Sequence, residues 1–284
     1  MINTKEQIIE YFKSGIKQTK DFKIGIEHEK FLFNNINNKR VDYLKIKEMF
    51  TALLEFGWNP ILEKKNIIGL NKGGKNITIE PGNQIELSGD KLNHIHEACA
   101  ESQDYLFELR QVTQKLNINI VSAGFDPIST LDEIPNNPKQ RYELMTKDMP
   151  LGGELSLDMM YRTCGTQLNI DYNSEEDFLK KFKIVNSIVP ISIALFANSA
   201  IVEKKKVIIY LIDLKFGKIL LEVVFQSYFL KNWILKNMLI SQLIFHFYLL
   251  NMKELMFLEK NIFLKILWMV KFEKLETDYL MKKT

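Results

Sequence analysis

Cysteine is scarce in this chain. Its 284 residues hold two, Cys99 and Cys164, which excludes a disulfide scaffold and fits a reducing compartment. A charge excess is also missing. Thirty-eight Lys and Arg against 35 Asp and Glu leave a net +3, too mild for a nucleic-acid partner. The first twenty residues are polar and mixed in charge, without the apolar run of a secretory leader. We therefore expect a cytoplasmic location. No apolar stretch reads as a membrane span. The segment 238–250 is too short to cross a bilayer, and Ser241, Gln242 and His246 interrupt it. What the chain does have is a hydrophobic content of 46%, enough to build a core in one large domain or two small ones.

The most informative stretch is 25–31, Gly-Ile-Glu-His-Glu-Lys-Phe. In a strand, alternate side chains share a face, so Glu27 and Glu29 project together. Two acids side by side repel, and a divalent cation would explain the pairing. A solvated outer face would explain it equally well, and the stretch alone leaves both readings open. Before it, residues 4–14 read as a short amphipathic helix capped by Thr4 and stopped by Gly15. After it, 42–56 reads as a second helix with Leu44, Ile46, Met49, Phe50, Leu53 and Leu54 as its apolar positions. Gly57 stops that helix, and Trp58-Asn59-Pro60 turns the chain.

Residues 67–89 read as strand, Gly-rich turn, strand, Pro-Gly turn and strand. Part of this block mimics a phosphate-binding P-loop. Asn76 replaces its final Ser or Thr, and a strand follows where the phosphate cradle needs a helix N-terminus. We read a hairpin instead. Thr78 and Glu80 share one face of their strand, and Gln84, Glu86 and Ser88 share one face of theirs. Antiparallel pairing would lay these groups beside Glu27 and Glu29, although a hairpin with one wet face would carry similar residues.

A long helix is expected over 90–116, with Asp90 as its cap. His94 and His96, two apart, point in different directions on a helix and do not make a shared metal site. Cys99 on the same helix reads as core. A buried strand over 118–123 and a long loop over 124–139 follow, and then a helix over 141–149. A polar strand over 162–172 places Gln167, Asn169 and Asp171 on one face and Cys164, Leu168 and Ile170 on the apolar one. The helix over 175–196 starts at Asn173 or Ser174 and should kink or split at Pro190.

Taken in order, residues 25–31, Ile79-Glu80-Pro81-Gly82, the run 84–89, Met159-Met160-Tyr161-Arg162-Thr163-Cys164 with Gln167-Leu168-Asn169, and Leu195-Phe196-Ala197-Asn198-Ser199 resemble the plant and proteobacterial glutamate–cysteine ligases. Gly57-Trp58, Pro138-Lys139 and Arg141-Tyr142 look like that family as well. The resemblance covers roughly residues 4–205. It implies an α+β fold similar to glutamine synthetase, an antiparallel sheet funnel with flanking helices. It further implies ATP and Mg2+ as cofactors and L-glutamate and L-cysteine as substrates, joined through a γ-glutamyl phosphate. Glu27, Glu29, Glu80 and Glu86 are the expected metal ligands. Arg162, Lys139 and Arg141 are the expected catalytic cations, Gln167, Asn169 and Asn198 the substrate contacts, and Thr78 and Ser88 the nucleotide contacts. A related ligase with another amine acceptor would share most of these motifs. Oligomeric state is not legible.

After Lys206 the character of the chain changes. Residues 207–270 are dense in Ile, Leu, Phe and Lys, with no strand alternation and no proline. A buried or interfacial helix, or a membrane-associated or oligomerising segment, is one reading. A shifted reading frame is another, and we prefer it. Codons rebuilt from the third base of each codon and the first two of the next, with A/T-rich choices, let 206–224 read SNYLSYRSKIWQNTSRGG. That string resembles the family's continuation through its arginine and tryptophan, and 230–242 can likewise read EKLDFEKYVDFT. Glu203-Lys204-Lys205-Lys206 implies a run of adenines, where slippage is easy. Two regions are therefore expected: a ligase part over 1–205, and an out-of-frame apolar tail over 206–284 that leaves the sheet incomplete. The chain as written should be inactive.

Overall fold

In the computed structural model, the structure describes residues 5–152 and 155–206. All of them fall in one compact unit, Met1–Gln226. The architecture is α+β, as expected. A seven-stranded antiparallel sheet runs β2 (Asn59–Glu63), β3 (Asn66–Lys72), β4 (Lys75–Ile79), β5 (Ile85–Ser88), β1 (Ile24–Asn34) and β6 (Ile118–Val121). The seventh strand, β7 (Thr166–Ile170), also pairs with β1. At Glu27 and His28 it takes the edge opposite β5.

Strand alternation explains why the sheet has two different faces. Ile77 and Ile79 of β4, Ile85 and Leu87 of β5, and Leu32 of β1 are fully buried. They join Ile46, Met49, Phe50 and Leu53 of α2 (Tyr43–Leu53) and Tyr105, Leu109 and Val112 of α3 (Ile95–Lys115) in one core. Each such side chain contributes about 1.5–3 kcal/mol by leaving water. The intervening positions, Thr78, Glu86 and Ser88, must then face the other way. Asp42 caps α2 by accepting from the Lys45 N–H, and a 3-10 turn over Leu54–Phe56 continues it until Gly57 ends the turn with φ at +84°, the left-handed conformation that favours glycine.

The hairpin reading of 67–89 holds, with Gly73 at φ +63° in its first turn. The helix α6 (Glu175–Phe196) begins at Ser174, whose hydroxyl accepts from the Asp177 N–H. Other expectations need correction. Trp58-Asn59-Pro60 does not merely turn the chain, because 59–63 pairs with β3 as an edge strand, where proline is tolerated. Leu44 is 69% exposed instead of core. The third helix starts at Ile95, since Leu92 exchanges backbone hydrogen bonds with Ile24 and holds the preceding residues extended. Asp90 is therefore no cap. Cys99 is exposed, whereas Cys164 is buried against Phe31 and Phe33 as expected. Pro190 does not split α6. The strand expected over 162–172 divides: 156–162 forms α5 (Ser156–Arg162), and only 166–170 is strand. The Thr4 cap and everything after residue 206 lie outside the described residues.

One buried charge pair ties the sheet to the long loop. Arg40 donates to Asp126 at 2.8 Å, with both side chains fully buried. It also donates to the Gly82 carbonyl and lies over the Phe31 ring at 4.7 Å. Asp126 in turn accepts from the Ile128 and Ser129 N–H groups.

Candidate metal and substrate site

Register brings the acids together. Glu29 lies opposite Glu86, Glu86 opposite Thr78, and Glu27 between Ser88 and Gln167. Glu80 enters from the end of β4. Carboxylate oxygens of Glu29, Glu80 and Glu86 lie within 4.8 Å of one another. Glu27 stands beside this group and not inside it. Its Oε1 accepts from Asn169 Nδ2 at 3.3 Å, and Gln167 donates to Asn169 at 3.1 Å. Thus the two amides expected to contact substrate line the Glu27 end of the acid face.

The acids are held by neutral donors. The Gly165 N–H donates to Glu29 at 2.5 Å, Ser88 to Glu86 at 2.7 Å and Thr78 to Glu80 at 3.3 Å. Burial, opposed by the Gly165 hydrogen bond and reinforced by Glu80, Glu86 and Glu27, pushes the Glu29 carboxyl up to about 7. Burial also raises Glu80, with Lys139 opposing and Glu86 adding. Glu27 is raised by burial and by Glu86. Glu29, Glu80 and Glu86 offer hard oxygen donors close enough together to share one small divalent cation, so the donor set fits magnesium.

The expected cations divide. Arg141 is 63% exposed at the rim, 3.9 Å from Glu80, and donates to the Tyr142 hydroxyl at 2.7 Å. Lys139 is buried, with its ammonium on the Ile79 carbonyl at 2.7 Å. Burial, opposed by Glu80 and reinforced by Arg141, pushes it down to about 8. Arg162 ends α5 in place of beginning a strand. Its guanidinium is buried on Asp158 at 2.7 Å and Glu203 at 3.0 Å. Asn198 is exposed and donates to the Ser122 carbonyl. His94 and His96 are both exposed, with their rings 5.9 Å apart and His94 3.5 Å from Glu97.

Three contributors are new. Tyr142 donates to Glu80 at 2.9 Å. Gln84, fully buried, donates to the carbonyls of Met160 and Thr163 and ties β5 to the segment carrying Gly165. The backbone N–H of Gly165 has no side-chain signature, so nothing in composition could flag it. Tyr142 had one signal, its place directly after Arg141.

The family model described as "Glutamate-cysteine ligase family 2(GCS2)" matches residues 23–206. The chain is 42% identical over 203 residues to glutamate–cysteine ligase A, chloroplastic, of Oryza sativa subsp. japonica, covering 71% of this chain and 41% of that protein. It is 42% identical to the chloroplastic enzyme of Nicotiana tabacum, with 71% and 39% covered, and 41% identical to that of Arabidopsis thaliana, with the same coverage. The chain spans about two fifths of the length of these relatives. Their names place them in chloroplasts, which overturns the expectation of a cytoplasmic location drawn from scarce cysteine and the polar N-terminus.

Proposed function

The chain belongs to the glutamate-cysteine ligase family 2, and from that membership we propose that its fold serves an ATP- and magnesium-dependent ligation of the L-glutamate γ-carboxyl to the L-cysteine amine. The observation that carries the chemistry is the Glu29, Glu80 and Glu86 cluster. These three, with Glu27 beside them, would hold magnesium, which when bound neutralises phosphate charge and orients the phosphoryl group. In this reading the γ-carboxylate takes the terminal phosphoryl of ATP with loss of ADP, and the cysteine amine then displaces phosphate from the acyl phosphate, giving up a proton as the amide forms. Gln167 and Asn169 present amide groups to substrate beside Glu27. Thr78 and Ser88 hold the carboxylates from which the nucleotide's ions would hang. Arg141, exposed at the rim, is the guanidinium best placed to reach a phosphate. We assign Lys139 and Arg162 to supporting the site, because Lys139 is engaged by the Ile79 carbonyl and Tyr142 and Arg162 by Asp158 and Glu203. Asn198 keeps only a weak claim.

We also propose that the chain loses its frame at about residue 206, so that 206–284 is an out-of-frame tail and the chain as written does not turn over. The family match ending at residue 206 supports this reading. Resequencing the DNA across codons 204–207 tests it: one corrected base that restores the arginine stretch bears it out, a frame confirmed as written leaves the ligase a relic, and a shifted frame that does not spell the family's continuation would sink it. For the frame-restored protein, phosphate release from ATP should require both glutamate and cysteine. Release with glutamate and a different amine, but not with cysteine, would favour the related ligase instead.

A further inference from the structure

The hydroxyl of Tyr142 is a hub whose hydrogen bonds can be counted in full. A phenol has one proton to donate and two lone pairs to accept with. Arg141 donates to it at 2.7 Å and Lys139 at 3.3 Å, which fills both lone pairs. Its own proton has two acceptors in range, Glu80 Oε2 at 2.9 Å and the Ile79 carbonyl at 3.1 Å. Glu80 Oε2 is the nearer of the two and carries the carboxylate's charge, so the proton goes to it. The ring is only 4% exposed, with the Arg141 and Lys139 charges at 4.7 and 5.0 Å from its centroid. It cannot rotate away without abandoning both cations.

We propose that Tyr142 is a positioning residue for the cation site: by holding Oε2 of Glu80 it fixes the orientation of the carboxylate that shares the acid cluster with Glu29 and Glu86. The inference rests on the metal reading above. Lys139 and Arg141 act through it. Two positive charges support the Glu80 carboxylate by way of a neutral phenol, and neither cation need occupy the place where a metal would sit. The helix α4 (Gln140–Asp148) is anchored at the same point. Lys139 is its N-cap residue, and Asn137 just before it donates to the Glu80 and Pro81 carbonyls. Partners that orient a metal ligand in this way are typically worth about 10–100-fold in metal affinity.

Mn2+ binding to the full chain tests this, with free ion followed by electron paramagnetic resonance and bound ion by water-proton relaxation. Tyr142→Phe keeps the ring and removes only the hydroxyl. It should weaken Mn2+ binding about tenfold or more and raise the relaxivity of each bound ion, as Glu80 gives way to water. In a Glu80→Gln background the same change should have no further effect. Wild-type affinity in Tyr142→Phe, or an undiminished effect in the Glu80→Gln background, overturns the proposal and leaves the metal reading standing. Wild-type protein that binds no Mn2+, or binds it equally after Glu29→Gln and Glu86→Gln, overturns both. If Tyr142→Phe does not fold, the wild type still decides. Mg2+ should produce a tyrosine ultraviolet difference band that Glu80→Gln abolishes, and its absence from the wild type counts against the proposal.

Discussion

Glu29 shows how much one residue carries. Its carboxyl rises from an ordinary 4.5 to about 7 because burial and three neighbouring acids, Glu80, Glu86 and Glu27, disfavour its charge. The folded state thus binds a proton that the unfolded state has already lost, and stability must fall as pH rises from below 4.5 through 7. The penalty is absent at low pH and complete above 7, about 3 kcal/mol for a rise of this size. Urea unfolding at pH 5 and pH 8 in a chelator should show that loss. Glu29→Gln should flatten most of it, and Mg2+ should restore stability at pH 8 in the wild type but not in the variant. A second residue-scale prediction concerns Arg40. Asp126→Asn leaves a buried guanidinium without its counter-charge, so unfolding should become easier by about 3–5 kcal/mol. Replacing both partners with apolar residues should cost much less.

Among the elements, the β3–β4 hairpin sets the acid face. Gly69 lets the two strands close, because a Cβ there would meet the Ile77 carbonyl oxygen at 2.8 Å. That atom is backbone in a paired strand and cannot yield. Gly69→Ala should destabilise by about 1–3 kcal/mol, measurable as a lower urea midpoint with an unchanged slope. Strand β7 was only partly legible. The alternation of Gln167 and Asn169 with Leu168 and Ile170 predicted a polar and an apolar face, and the structure pairs the polar face with Glu27. The apolar side stays open, with Leu168 at 61% and Ile170 at 48% exposure. Helix α6 shares this character: Leu195 and Phe196 are 71% and 79% exposed. Alternation states which residues share a face, and it cannot state whether anything covers that face.

For the whole molecule, these two faces and the tail raise the same question. The chain spans about two fifths of its relatives, and exposed apolar surface of this kind favours association. No helix among the described residues is long and apolar enough to cross a membrane. If the frame is lost at residue 206, the 284-residue protein should release no phosphate from ATP with glutamate and cysteine, while the frame-restored gene product should. Equal activity from both would remove the frameshift reading. Light scattering should also fall on frame restoration, since the stretch 207–270, dense in Ile, Leu and Phe, would be replaced.

The sequence by itself determined which residues share a face within each strand. Period-two alternation puts Glu27 with Glu29 and Glu86 with Ser88 whatever those strands pair with, while the register that sets Glu29 opposite Glu86 and Glu86 opposite Thr78 belongs to the fold. The sequence also determined the family, through motifs in order. Only the tertiary structure decided how the charges are spent. Glu27 stands apart from the cluster with Asn169 on it, Arg162 is withdrawn onto Asp158 and Glu203, and Lys139 hydrogen-bonds Tyr142, which in turn hydrogen-bonds Glu80. A charged residue pairs with whichever opposite charge or carbonyl the fold brings within about 3 Å. Asp158 and Tyr142 lie within a helical turn of Arg162 and Lys139, but the pairs Asn169–Glu27, Tyr142–Glu80 and Arg162–Glu203 are 142, 62 and 41 residues apart, where local pattern carries no information.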